Sequence, residues 1–202
     1  EGKKFREFSN FFWHHNPFVF VLPKFAQREG WMTTVPCHFS EKSIMLVKAA
    51  LMNDKESFDD IADAPDPKAA KQLGRGVRNW DQQLWEKYLE EVAFDVVRQK
   101  FDSSKALREV LLSTGDHIIA EAAPNDAIWG IGMGTSDPRV QDPDAWCGRN
   151  VLGYALMRAR SYIRNGRREV SGSSGSTGRA IAEDVGGQTA GAATGAATGD
   201  TL

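Results

Sequence analysis

The chain has 202 residues, with 25 Lys plus Arg against 27 Asp plus Glu. That length holds one domain of ordinary size with or without a tail and excludes a large multidomain machine. A net charge of −2 gives no electrostatic reason to bind a polyanion or an anionic membrane surface, so a small partner is expected. Cys37 and Cys147 are the only cysteines, too few for a disulfide framework. With no run of about eighteen apolar residues and no secretory signal visible, the expectation is a soluble, cytoplasmic protein.

All twenty aromatic residues lie at or before Tyr162, whereas Gly166 to Leu202 holds nine of the nineteen glycines and the small-residue repeat GAATGAATG at 191–199. Such a segment buries too little apolar surface to offset chain entropy. The expected division is therefore a folded domain over 1–165 and a disordered Gly/Ala/Thr-rich tail over 166–202.

From Glu1 to about Val35 the text is aromatic, irregular and broken by Pro23 and Gly30, which suits a small sheet and loops. Ser40 reads as the cap of a first helix running to a stop near Asn53 and Asp54, with Phe39 placed to staple onto Ile44. A second helix is predicted over Lys55–Asp63. A third is capped by Asp66, opens with Pro67 and ends at Gly74. Asp81 caps the longest helix, in which Leu84, Trp85, Tyr88, Leu89, Val92, Val96, Val97 and Phe101 recur at three- and four-residue steps. Ser104 and Gly115 bracket a further helix. His117 to Ala122 reads as a buried strand, followed by a Gly-rich loop and a last helix over Val151–Arg164. Helices outweigh strands, so the fold class is α+β and mostly helical.

The chain has no Walker loop, HExxH, CxxC or GxSxG motif, and GIGMG at 130–134 does not fit the dinucleotide fingerprint. His14, His15, Cys37, His38 and Cys147 match no familiar zinc spacing, so neither metal nor cofactor is expected. Glu41 and Lys48 stand seven apart, two helical turns, and so share a face on which they can embrace one ligand. Equally, Glu41 suits a helix N-terminus and Lys48 a solvated surface. Asp126 shortly before Trp129 fits a sugar-binding acid beside a stacking indole, or an Asp capping its own turn. Trp80, ahead of the long helix, is either a hydrophobic staple or a stacking surface.

FSNF at 8–11, SEKSIMLVKA at 40–49, AKQLGR at 70–75, NWD at 79–81, LREVLLSTGDHIIAEAAPNDAIWGIG at 107–132 and NVLGYALMRAR at 150–160 occur in an order and spacing that resembles the YbiA family, also called the NADAR domain. The resemblance covers about residues 5 to 164 and implies a YbiA-like single domain with a small N-terminal β-sheet. It implies an N-glycosidase that cleaves the C–N bond between a ribose and a base or amine, such as an early intermediate of riboflavin biosynthesis. Some relatives act on ADP-ribose linkages, which makes ADP-ribosylated guanosine in nucleic acid an alternative substrate. By position, Glu41, Lys48, Trp80, Asp126, Trp129, Asn10 and Asn150 fall on the family's recurrent residues. The expected roles are catalysis for Glu41 and Asp126 and substrate binding for Asn10, Lys48, Trp80, Trp129 and Asn150, with Arg75 joining Lys48 as a cation for a ribose phosphate. Chemically, an oxocarbenium-like transition state calls for a nearby carboxylate, an acid–base group for water and the leaving amine, and cations for a ribose phosphate.

Two departures stand out. Many relatives carry His or Gln where this chain has Lys42, and the segment from Thr135 to Trp146 is longer than in short members. A binding module that holds ADP-ribose without cleaving it, and an interaction protein recruited through its tail, are the competing classes.

Overall fold

The computed structural model describes residues 5–172 and 192–193, and side chains as far as 166. Strands β1 (Phe18–Val21) and β2 (Thr34–Cys37) pair antiparallel, with Phe18 opposite Cys37 and Val21 opposite Thr34. The alternation is clean. Phe18, Phe20, Val35 and Cys37 face the core, while Val19 and Val21 face out, as period-two patterning requires. The edge of β1 is held by Gln99, whose side chain accepts from the Val21 N–H and donates to the Val21 carbonyl, each at 2.8 Å.

Helix α1 (Ser40–Leu51) is the centre of the domain, with ten of its twelve residues buried. It packs against α2 (Lys55–Ala62), α3 (Pro67–Arg75) and α4 (Gln82–Asp102). Asp66 and Asp81 cap α3 and α4 as expected, accepting from the N–H groups of Ala69 and Leu84, and Ser104 caps α5 (Lys105–Leu112) through the N–H of Leu107. The start of α1 differs from expectation. Phe39 occupies the cap position without a side-chain bond, Ser40 is the first helical residue, and the Ser40 hydroxyl is buried without a hydrogen-bond partner. Phe39 packs with Ala64 and Ala70 beneath α3 instead of stapling to Ile44. The N–H of Glu41 is satisfied from outside the helix, by the carbonyl of Asn10 at 3.0 Å.

The strand expected over 117–122 shrinks to β3 (Ile118–Ile119), which pairs parallel with β4 (Ala192–Ala193). The last helix, α6 (Val151–Gly172), outruns its predicted end at Arg164 by about two turns and lies along α4. Apart from that extension and β4, the expectation of a disordered tail over 166–202 lies outside the described residues. Among the described residues, no helix is long and apolar enough to cross a membrane. The mostly helical α+β class with a small N-terminal sheet is what the sequence predicts.

Two glycines set helix spacing by close approach. A Cβ on Gly74 of α3 would overlap the Sδ of Met45 on α1, and one on Gly153 of α6 would overlap the carbonyl oxygen of Ile119.

Candidate active site

The elements converge on a cavity of about 250 Å³ whose walls come from three places: the loop after Phe8, the facing sides of α1 and α3, and the loop from Glu121 to Trp129. Ser9, Asn10 and Phe11 form the first wall; Glu41, Ile44, Met45 and Lys48 of α1 and Lys71, Gly74 and Arg75 of α3 form the second. Glu121, Ala123, Pro124, Asn125, Asp126, Trp129 and Leu152 close the third.

Glu41 is 7% exposed at the head of α1. Burial drives its carboxyl pKa up to about 7; Asp126 adds repulsion, while Lys71, Arg75 and Lys48 pull the other way. Lys48 crosses the helix interface, donating to the Gly74 carbonyl at 2.6 Å, with its amine 4.5 Å from the centre of the Trp80 ring. Its burial lowers the amine pKa, against the pull of Glu41. The shared-face expectation for Glu41 and Lys48 holds: both reach one cavity.

Asp126 does two things at once. Its Oδ1 accepts from the N–H groups of Ile128 and Trp129 at 3.0 and 2.8 Å, the self-capping turn that sequence alone allowed, and it still lines the cavity. The loop beyond it is clamped to α6, because the N–H groups of Arg149, Asn150, Val151 and Leu152 donate to carbonyls of Ala127, Gly130, Ile128 and Trp129. Those bonds occupy the N–H groups of the first two residues of α6 and of the two residues before it.

Two of the expected binding residues lie elsewhere. Asn150, fully buried with φ 52°, accepts from the Glu121 N–H at 3.0 Å and donates to the Ile119 carbonyl at 2.9 Å. Both ends of its amide hold the loop, and it is not among the residues that line the cavity. Trp80 is 44% exposed and stands outside the lining. It meets Trp85 at 6.0 Å between ring centres, which is the staple reading, and the Lys48 amine also lies over its ring. Asn10, Arg75 and Trp129 do line the cavity, and the Oδ1 of Asn10 is buried without a hydrogen-bond partner.

Sequence reading passed over three residues. Lys71 sits one turn before Arg75 on α3, and that four-residue step was a usable signal. Glu121 lines the cavity, and burial together with Asp126 drives its pKa up to about 7. Its signal was a single charge in an otherwise small and apolar run. Lys100 of α4, 1% exposed, donates to the Ser9 carbonyl at 2.9 Å and holds the first wall from beneath. Burial lowers its pKa to about 7 against the pull of Glu7.

The two departures leave the cavity untouched. Lys42 points away, donating to the Ala62 carbonyl at 2.7 Å. The long segment folds into two short turns at Pro138–Gln141 and Pro143–Ala145, and packs Val140 and Trp146 against a satellite cluster of Ala120, Ala122, Ile131 and Met133. Among the described residues, no three His, Cys, Asp or Glu side chains are placed to hold a metal ion.

Residues 1–164 match the NADAR domain. The chain belongs to the NADAR family. N-glycosidase R617 of Acanthamoeba polyphaga mimivirus is 38% identical over 122 residues, 60% of this chain and 71% of that protein. Protein irg-1 of Caenorhabditis elegans is 33% identical over 126 residues, 61% of this chain and 59% of that protein. N-glycosidase YbiA of Escherichia coli strain K12 is 30% identical over 110 residues, 54% of this chain and 62% of that protein. The chain thus spans less than two thirds of the length of the last two. The NADAR match includes every residue that lines the cavity.

Proposed function

We propose that this NADAR chain hydrolyses an N-glycosidic bond between a ribose and a base or amine, with Glu41 and Asp126 as catalytic carboxyls. The observation that carries this reading is the setting of Glu41: a carboxyl removed from water, beside a second carboxylate and within the field of three cations. Two relatives above are named N-glycosidases, which supports the same bond class.

Breaking a ribosyl C–N bond builds positive charge on the sugar, and a fixed anion stabilises that charge in a site that excludes water. Asp126 suits this role because two backbone N–H groups hold its carboxyl in a fixed position at the cavity wall. Glu41, as the carboxylate that Lys48, Lys71 and Arg75 favour, takes the proton of the attacking water. Those cations also suit a ribose phosphate, as in the ribosylaminopyrimidine phosphates of riboflavin biosynthesis. Trp129 offers a face to the departing base, and the unpartnered Oδ1 of Asn10 accepts from a sugar hydroxyl. Trp80 acts through the Lys48 it touches, and Asn150 through the loop.

The test is a product assay on a ribosylaminopyrimidine phosphate and on ADP-ribosylated guanosine, with Glu41→Gln in parallel. The expected result is release of base or amine by the wild type and loss of about a hundredfold or more in turnover in the variant. Wild-type turnover by Glu41→Gln removes Glu41 from the mechanism; tight ADP-ribose binding with every N-riboside left intact makes the domain a sensor.

A further inference from the structure

The cavity holds three carboxyls, and their surroundings assign them different work. Asp126 is tied through Oδ1 to two backbone N–H groups, which fix the carboxyl in place. Glu41 faces Lys48, Lys71 and Arg75, and its ionised form is the one those cations favour. Glu121 has neither kind of support. Its side chain makes no hydrogen bond or ion pair with the described residues, and the charged group that bears on it is Asp126, a like charge.

The backbone of Glu121 is nevertheless one of the best-held points in the site. Its N–H donates to Asn150, and its carbonyl accepts from the N–H groups of Ala123 and Ile131 at 3.0 and 2.9 Å. Gly130 packs so closely on that carbonyl that a Cβ there would come within 2.8 Å of it. A side chain anchored this firmly at its base, aimed into a reaction cavity and given no partner there, is placed for a ligand.

We propose that Glu121 is a third catalytic residue of the cavity, the carboxylic acid that protonates the departing nitrogen. This rests on the N-glycosidase reading. The step balances as follows. The Glu121 proton moves to the leaving nitrogen as the C–N electron pair stays with that nitrogen; the water oxygen bonds to the sugar carbon; the water proton passes to Glu41. Products are the free base or amine and the ribose hemiacetal, leaving Glu121 ionised and Glu41 protonated until solvent resets both. The groups facing Glu121 and Glu41 around the cavity are Lys48 on α1, Lys71 and Arg75 on α3 and Asp126 on the loop. Burial raises the pKa of Glu41 and Glu121 alike to about 7. Three cations favour the ionised form of Glu41 and none of them bears on Glu121, which faces Asp126, so Glu121 is the one of the two placed to keep the proton.

The assignment is tested by changing what the leaving group needs. A ribosyl amine must be protonated to depart, whereas the pyridinium of nicotinamide mononucleotide leaves as a neutral molecule without a proton. Glu121→Gln and Glu121→Asp are assayed with a ribosylaminopyrimidine phosphate and with nicotinamide mononucleotide, beside Glu41→Gln and a thermal melt of each variant. Expected for Glu121→Gln is a loss of ten- to a hundredfold in kcat on the amine substrate with KM within about threefold. The decline of rate above pH 7 should vanish, and turnover of the pyridinium substrate should match wild type. Glu121→Asp should recover part of the loss, and Glu41→Gln should lose both substrates. Equal losses by Glu121→Gln on both substrates, or none on either, overturn the acid role while leaving the N-glycosidase reading intact. A wild type inactive on both substrates overturns both.

Discussion

The amine of Lys48 on α1 donates to the carbonyl of Gly74 on α3 at 2.6 Å, and so one side chain both joins two helices and supplies a cation to the cavity they enclose. Replacing it with Met keeps most of the apolar stem and removes both effects. Lys48→Met should raise KM for a phosphorylated riboside at least tenfold while changing KM for the dephosphorylated riboside by less than about threefold, since only the former loses an ion pair. Steady-state kinetics on the two substrates decide it, and equal rises remove Lys48 from phosphate recognition.

Gly74 also meets Met45, whose sulfur occupies the space a Cβ would need. Gly74→Ala should force the helices apart or drive Met45 off its rotamer, at a cost of about 1–3 kcal/mol. The Tm should fall by several degrees. Adding Met45→Ala should restore part of the loss, because the two residues compete for one volume. A double variant no more stable than Gly74→Ala contradicts this packing account.

The raised pKa of Glu41 makes stability depend on pH with a definite sign. Protonated Glu41 is compatible with burial, so its cost is absent below the ordinary Glu range and grows as pH rises from about 4.5 towards 7. Glu41→Gln should therefore melt higher than wild type at pH 8, by an amount worth up to about 3 kcal/mol. The difference should shrink towards pH 5. Calorimetry across that range checks it, and a variant that melts lower at pH 8 refutes the burial argument.

Asp54 carries the opposite sign. Its fully buried carboxylate accepts from the Ser57 N–H and hydroxyl and from three nitrogens of Arg78, among them the guanidinium at 2.6 Å. The Arg78 side-chain bond, with help from the others and against the cost of burial, holds its pKa far below the usual carboxylate range. The stability it contributes is present above about pH 4 and is lost as pH falls further. Asp54→Asn should cost roughly 2 kcal/mol at pH 7 and flatten the acid limb of Tm against pH. An unchanged acid limb in the variant assigns acid sensitivity to other groups.

The helices were legible where a short-range rule governs them. Asp66, Asp81 and Ser104 each receive an N–H three residues on, a bond set entirely by local chain geometry. Ser40 followed the same pattern on paper and fails it: the helix starts one residue earlier, with Phe39 at the cap position and the Ser40 hydroxyl buried without a partner. The Glu41 N–H goes to the carbonyl of Asn10, a long-range contact no local rule contains. The seven-residue step from Glu41 to Lys48 put both on one face, yet whether that face met solvent or a cavity depended on α3 and on the Asp126 loop.

Motifs located Asn150 and Trp80 but not their roles. A left-handed backbone and a fully buried amide turn Asn150 into the clamp of the loop, and the approach of Trp85 makes Trp80 a staple. Sequence by itself determined the helical α+β class, the caps of α3, α4 and α5 and the family. Tertiary structure alone brought Glu121, Lys71 and Lys100 to the site, since long-range packing decides which charges lose water and which neighbours then set their protons.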